Sequence, residues 1–198
     1  MKEYVRGILS GVLIGVGGTV YLSCDNKYFG SIFFSIALLF ICMRNYSLFT
    51  GKIGFILNDF SVYKSLDLFY CLLGNVTGAI ISGIAIRSSF INLHQISLVI
   101  CSGKLEQSTL QTFIRAVFCG ILMYLAVLIY KENKSKIGIL FSIPVFILSG
   151  YEHSVADVFY FTASGIVSAK LVLYIFITII GNATGSLLFS YLNKCAKR

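Results

Sequence analysis

Apolar residues run along this chain in long blocks separated by short polar segments, not in the short periodic patterns of a soluble domain. Six blocks stand out, roughly 5–23, 29–50, 65–86, 112–130, 137–160 and 169–192. Each is close to the about 20 residues that a helix needs to cross the hydrocarbon of a bilayer. The connections carry Asp, Asn, Lys, Ser or Glu and are too short to hold a soluble domain. The pattern predicts an all-α membrane protein with six transmembrane helices, folded as a single transmembrane domain over 1–198.

Composition strengthens that reading. Of 198 residues, 57% are hydrophobic and only 12% are charged, with a mean hydropathy of +0.87. A soluble domain carries roughly 25% charged residues, and this chain in water would expose large apolar patches. Lys2 and Arg6 ahead of an apolar run ending at Ser23-Cys24 also fit a signal peptide or a lipoprotein anchor. That run is rich in glycine, Tyr21 stands where a cleavage motif wants an aliphatic residue, and five further blocks follow, so it reads as a first span.

The net charge of +8 is mostly a topology signal. With the N-terminus inside, one side collects Lys2, Arg6, Lys52, Lys64, Lys131, Lys134, Lys136, Lys194, Lys197 and Arg198, and the other Lys27, Arg87, Lys104, Arg115 and Lys170. Positive residues favour the cytoplasmic side, so both termini are expected there and the 87–111 connection outside. The basic residues are scattered over connections, which excludes a nucleic-acid surface. Six cysteines form no CxxC pair, and His94 and His153 are the only imidazoles. No metal or other cofactor is expected, and no nucleophile–base pair or phosphate loop suggests an enzyme.

The two halves of the chain, approximately 1–87 and 105–198, resemble each other. The third block contains Gly74-Asn75-Val76-Thr77-Gly78 and the sixth Gly181-Asn182-Ala183-Thr184-Gly185. Each is third in a set of three, and an odd number of crossings per half sets the copies in opposite orientations, as in many transporters. Glycines at i and i+4 explain close helix contact without any function. The asparagines add more, because an amide within a membrane must find a partner or line a wet path. The second block is interrupted at Arg44-Asn45-Tyr46-Ser47 and the fifth at Gly150-Tyr151-Glu152-His153-Ser154. Interrupted segments at matching places in two halves point to a solute site.

At these residues the chain resembles the formate/nitrite transporter family of pentameric channels for small monovalent anions. The resemblance rests on Leu48-Phe49-Thr50-Gly51, Gly74-Asn75, Thr112-Phe113-Ile114 through Gly120-Ile121-Leu122, Ser149-Gly150-Tyr151-Glu152-His153-Ser154-Val155-Ala156 and Gly181-Asn182, in family order. It implies an aquaporin-like protomer of two inverted three-helix repeats, with interrupted second and fifth helices and a pore through each protomer. By position, Phe34 and Phe146 would form the outer constriction, and Leu38, Leu48 and Val127 the inner one. His153 would be the central histidine, facing Thr50, with Asn182 in the pore wall. The partners implied are a small inorganic or carboxylate anion, the lipid bilayer and a homopentamer, with multi-pass residence in a bacterial cytoplasmic membrane. The chain departs from the family pattern at Tyr124 and Asp157, each in place of an asparagine, and at Ser47, in place of a glutamate. The lysine expected shortly before Thr112-Phe113 is not at its place, and Lys104 is the nearest candidate.

A lone histidine is usually structural in a soluble core, but within a span and beside a helix break it points to function. Imidazole titrates near physiological pH, so His153 can stabilise an anion as a cation or let it leave as a neutral acid. Thr50 is either a turn hydroxyl or its partner. Glu152 reads as holding the broken helix. Asp157, one turn beyond His153, either favours imidazolium or forms an ion pair with Arg44 or a neighbouring protomer. Asn75 reads as a helix-contact residue. Proton-linked or passive conduction of formate or nitrite is the favoured function. A hydrosulfide or neutral-solute channel of the same fold, or a non-conducting assembly subunit, are the alternatives.

Overall fold

In a computed structural model, which describes residues 1–58 and 60–197, the chain is all-helical among the described residues. The helices are α1 Lys2–Ser23, α2 Lys27–Met43, α3 Phe49–Lys52, α4 Val62–Ser89, α5 Ile91–Glu106, α6 Thr109–Asn133, α7 Ile137–Leu148, α8 Ser154–Ser164 and α9 Ala169–Ala196, with a 3₁₀ segment, Ile53–Asn58, after α3. Arg198, counted above among the basic residues, lies outside the described residues. Four helices, α1, α4, α6 and α9, are long and apolar enough to cross a membrane, while α2 and α7 are shorter apolar helices. The second and fifth apolar blocks are therefore each divided between two helices, α2 with α3 and α7 with α8.

Helix starts follow local chemistry. Asn26 accepts from Tyr28 N and Phe29 N, Ser61 from Lys64 N and Ser168 from Leu171 N. Ser108 and Gln111 exchange side-chain and backbone bonds in a capping box that starts α6. These bonds satisfy N–H groups that the first turn leaves without partners.

Two helix pairs approach very closely, α1 with α4 and α6 with α9. A Cβ on Gly78 would sit 2.2 Å from Ile8 O, and one on Gly185 2.0 Å from Val117 O. Neither distance admits a side chain, so the small residues of the two Gly-Asn-x-Thr-Gly segments are required by packing. Phe33, Phe69, Ile84, Leu173 and Phe176 face outward and exposed, an arrangement that lipid satisfies and water does not.

The 87–111 connection was expected as an exposed polar segment. It is instead mostly helix α5, packed on α8. Leu93, Ser97 and Cys101 are buried at four-residue spacing on one face, and Lys104 extends that face by one more turn. Its side chain is only 16% exposed.

Candidate functional site

Both helix breaks are built in the same way. After α2, Asn45 takes a left-handed conformation (φ 53), Asn45 N donates to Cys42 O and Tyr46 N reaches back to Ile41 O at 2.9 Å. After α7, Gly150 does the same (φ 66), with Gly150 N bonded to Ile147 O and Tyr151 N to Phe146 O at 3.0 Å. This double closure ends a helix without orphaning its last carbonyls. Two residues later the chain is extended, at Leu48 (φ −112, ψ 122) and at His153 (φ −114, ψ 110), and a new helix begins.

An asparagine clamps each break. Asn75 Oδ1 accepts from Phe49 N at 2.8 Å, and its Nδ2 donates to Ser47 O and Gly7 O. Asn182 Oδ1 accepts from Ser154 N at 2.9 Å, and its Nδ2 donates to Glu152 O and Ala116 O. Both side chains are fully buried. Broken helices inside a membrane need such partners for the backbone groups they free. Asn182, read from sequence as pore wall, thus spends its whole amide on backbone, and Asn75 does nearly the same, its Oδ1 accepting in addition from Cys71 Sγ at 3.8 Å.

The two breaks bring Thr50 and His153 together. Thr50 Oγ1 lies 2.8 Å from His153 Nε2, and both side chains are buried. His153 Nδ1 accepts from Ala156 N at 3.1 Å, capping α8. A backbone N–H can only donate, so Nδ1 carries no proton, and the neutral ring bears its proton on Nε2, directed at Thr50. The Thr50 hydroxyl, accepting from the ring, keeps its own proton to give.

Two cavities lie near this pair, one lined by His153 itself and one by Leu48 and Gly51, which flank Thr50 in the chain. The first, about 300 Å³, is lined by Phe34, Phe146, His153, Glu152, Asp157, Lys104 and Arg115, among others. The Phe34 and Phe146 rings meet edge to face at 6.2 Å, and Phe146 stacks on the His153 ring at 5.7 Å. The second, about 260 Å³, is lined by Leu38, Leu48 and Val127, with Arg6, Lys52, Lys131 and Lys134 at its rim. The first mouth is mixed in charge. The second has basic side chains only, with Glu3 just behind them, bonded to Arg6, Lys52 and Ser47.

Asp157 pairs with neither His153 nor Arg44. Its Oδ1 lies 2.9 Å from Lys104 Nζ, which also binds Glu152 Oε2. Glu152 Oε1 accepts from Gln107 Nε2 at 2.7 Å. Burial alone would lower the pKa of Lys104, but Asp157 and Glu152 outweigh it and hold the ammonium above its ordinary range. Arg44 instead caps the far end of α2, at the first break. Gln107 has no place in the sequence reading, and Lys104 enters it only as an outer basic residue and as the nearest candidate for the family lysine, not as part of a buried helix face. The 93, 97, 101, 104 spacing was the available signal. Tyr124, where the family pattern has asparagine, packs against Phe55 at 5.0 Å and Phe189 at 6.4 Å.

The family model for the formate/nitrite transporters matches residues 1–195. The chain belongs to the formate/nitrite transporter family. A curated relative is the uncharacterized transporter YwcJ of Bacillus subtilis (strain 168), 26% identical over 189 residues that cover 83% of this chain and 73% of that protein. Among solved structures, an FNT family ion channel superposes with a TM-score of 0.80 at 22% identity, covering 99% of this chain and 88% of its own. A pentameric formate channel with formate bound superposes with a TM-score of 0.74 at 21% identity, covering 99% and 94%. At these identities the superpositions speak for the fold. Family membership makes the chain a membrane transport protein, not an enzyme.

Proposed function

We propose that each protomer conducts a small monovalent weak-acid anion, such as formate or nitrite, between the two cavities, passing His153 and Thr50. The observation that carries this reading is the meeting of those two side chains, 2.8 Å apart and contributed by opposite helix breaks, between an aromatic pair and an aliphatic trio. A bare anion in an apolar passage costs many kcal/mol unless donors replace its water. The Thr50 hydroxyl and the His153 ring supply donors between the two apolar groups, and the basic side chains lining the second cavity raise local anion concentration.

In this reading the two halves are inverted repeats, both termini lie in the cytoplasm, and the second cavity is the inner mouth. Five copies assemble in a bacterial cytoplasmic membrane, each with its own pathway. Purified protein reconstituted in liposomes should carry formate and nitrite at least about tenfold faster than empty liposomes and exclude gluconate, which is too large for slits between packed side chains. Flux at the empty-liposome level, in protein that has inserted and assembled, rejects the reading in favour of a non-conducting subunit.

A further inference from the structure

In the first cavity one ammonium is shared between two acids: Lys104 serves the carboxylates of Glu152 and Asp157. Glu152 is fully partnered, with Lys104 on one oxygen and Gln107 on the other. Asp157 is not. Its Oδ1 holds Lys104, while Oδ2 is buried, has no hydrogen-bond partner, and belongs to a side chain that lines the cavity. An ionised oxygen left this way is costly, and a proton on it removes the cost. His153 cannot serve as the proton store while Nδ1 accepts from Ala156 N.

The groups around Asp157 come from every neighbouring element. Lys104 and Cys101 face it from α5, Cys119 from α6, Tyr174 from α9, and Glu152 and Tyr160 from its own segment. Arg115 of α6 and Tyr21 of α1 line the same cavity. From α4 the charge against α8 is Arg87, at the far end beside Gly165. Ordinary thiols and phenols are uncharged near neutral pH, so the local balance is set by Lys104, Glu152 and Asp157, with Arg115 nearby.

We propose that the first cavity takes up an anion and a proton together, with Asp157 holding the proton on Oδ2 and Lys104, released from one of its two carboxylates, holding the anion. With Asp157 ionised, the two basic and two acidic side chains that line the cavity, Lys104, Arg115, Glu152 and Asp157, cancel and offer an anion no net attraction. With Asp157 protonated they carry one net positive charge, which draws an anion in. The step is one proton transfer from hydronium in the mouth to the carboxylate: an O–H bond of hydronium breaks, water leaves, and the O–H bond on Oδ2 forms. The inference rests on the anion-channel reading and gives it a coupling site distinct from the histidine.

Asp157→Asn keeps the shape and an oxygen for Lys104 but removes the titration. Formate flux of parent and variant is compared in liposomes from about pH 5 to pH 8. The ratio of variant to parent flux cancels the changing supply of neutral acid, and it should rise at least about tenfold across that range. A ratio that stays constant overturns the proposal. In detergent and weak buffer near pH 7, adding formate to the parent should take up close to one proton per bound anion, and adding it to the variant none. Binding without uptake, or no binding, also overturns it. A parent that fails to conduct yet binds formate with a proton would sink the channel reading and leave this inference standing.

Discussion

The two helix breaks share a backbone and differ in chemistry. Each ends a helix with a residue of positive φ followed by a tyrosine, and each starts the next helix from an extended residue held by an asparagine clamp. In that extended position stand Leu48 in one half and His153 in the other. One place earlier stand Ser47 and Glu152. Ser47 borrows a carboxylate from Glu3 on α1 and sits by Lys52, whereas Glu152 brings its own and sits by Lys104. Breaks of like backbone thus present an aliphatic side chain at one place and a hydrogen-bonding ring at the other. Their difference in polarity lies in two or three side chains, while the backbone geometry that presents them is common to both.

If the clamps are truly equivalent, Asn75→Ala and Asn182→Ala should do comparable and severe damage. Each removes three buried bonds to backbone groups, at about 1–3 kcal/mol apiece when the partner is left unpaired. Both variants should fail to assemble, or should melt far below the parent in a detergent thermal-shift assay. Tolerance of one but not the other would break the comparison and place the load on a single half.

A smaller effect is expected at Phe146 and Leu48, which in the channel reading belong to two apolar slits in series. Phe146→Ala and Leu48→Ala should each raise formate flux or relax selectivity a few-fold, since the opposite slit remains, and the double variant should exceed both. Truncating buried side chains of this size also costs about 2–5 kcal/mol, so flux is to be scored on protein of verified assembly. Unchanged flux and selectivity in all three would mean that these residues only pack.

Much of this was legible in the sequence, because length and composition alone identify a membrane-crossing helix. The interruptions at Asn45 and Gly150 were visible as polar residues inside apolar blocks, and the doubled Gly-Asn-x-Thr-Gly segment gave away the matching helix pairs. The shared role of Asn75 and Asn182 was not visible, since their partners are backbone atoms that no side-chain pattern displays. The burial of Lys104 on a helix face was missed for a different reason. Counting basic residues as loop markers ignores a helix whose buried face is short and ends in a charge, and only the spacing from Leu93 to Lys104 betrays it. Glu3 as the carboxylate for Ser47, 44 residues away, has no local signal at all.

In the proposed channel the His153 ring itself carries the anion between the two apolar groups. The direct measurement is formate flux in liposomes for parent, His153→Phe and His153→Asn, each checked for an unchanged oligomer. Phenylalanine fills the space but offers no donor to an anion and no acceptor for Ala156 N. Asparagine can cap the helix and still donate a hydrogen bond. Flux should fall at least about tenfold in His153→Phe, the equivalent of losing one charge-assisted hydrogen bond of roughly 1.5–3 kcal/mol, and should be substantially retained in His153→Asn. A His153→Phe channel that conducts like the parent would contradict the account.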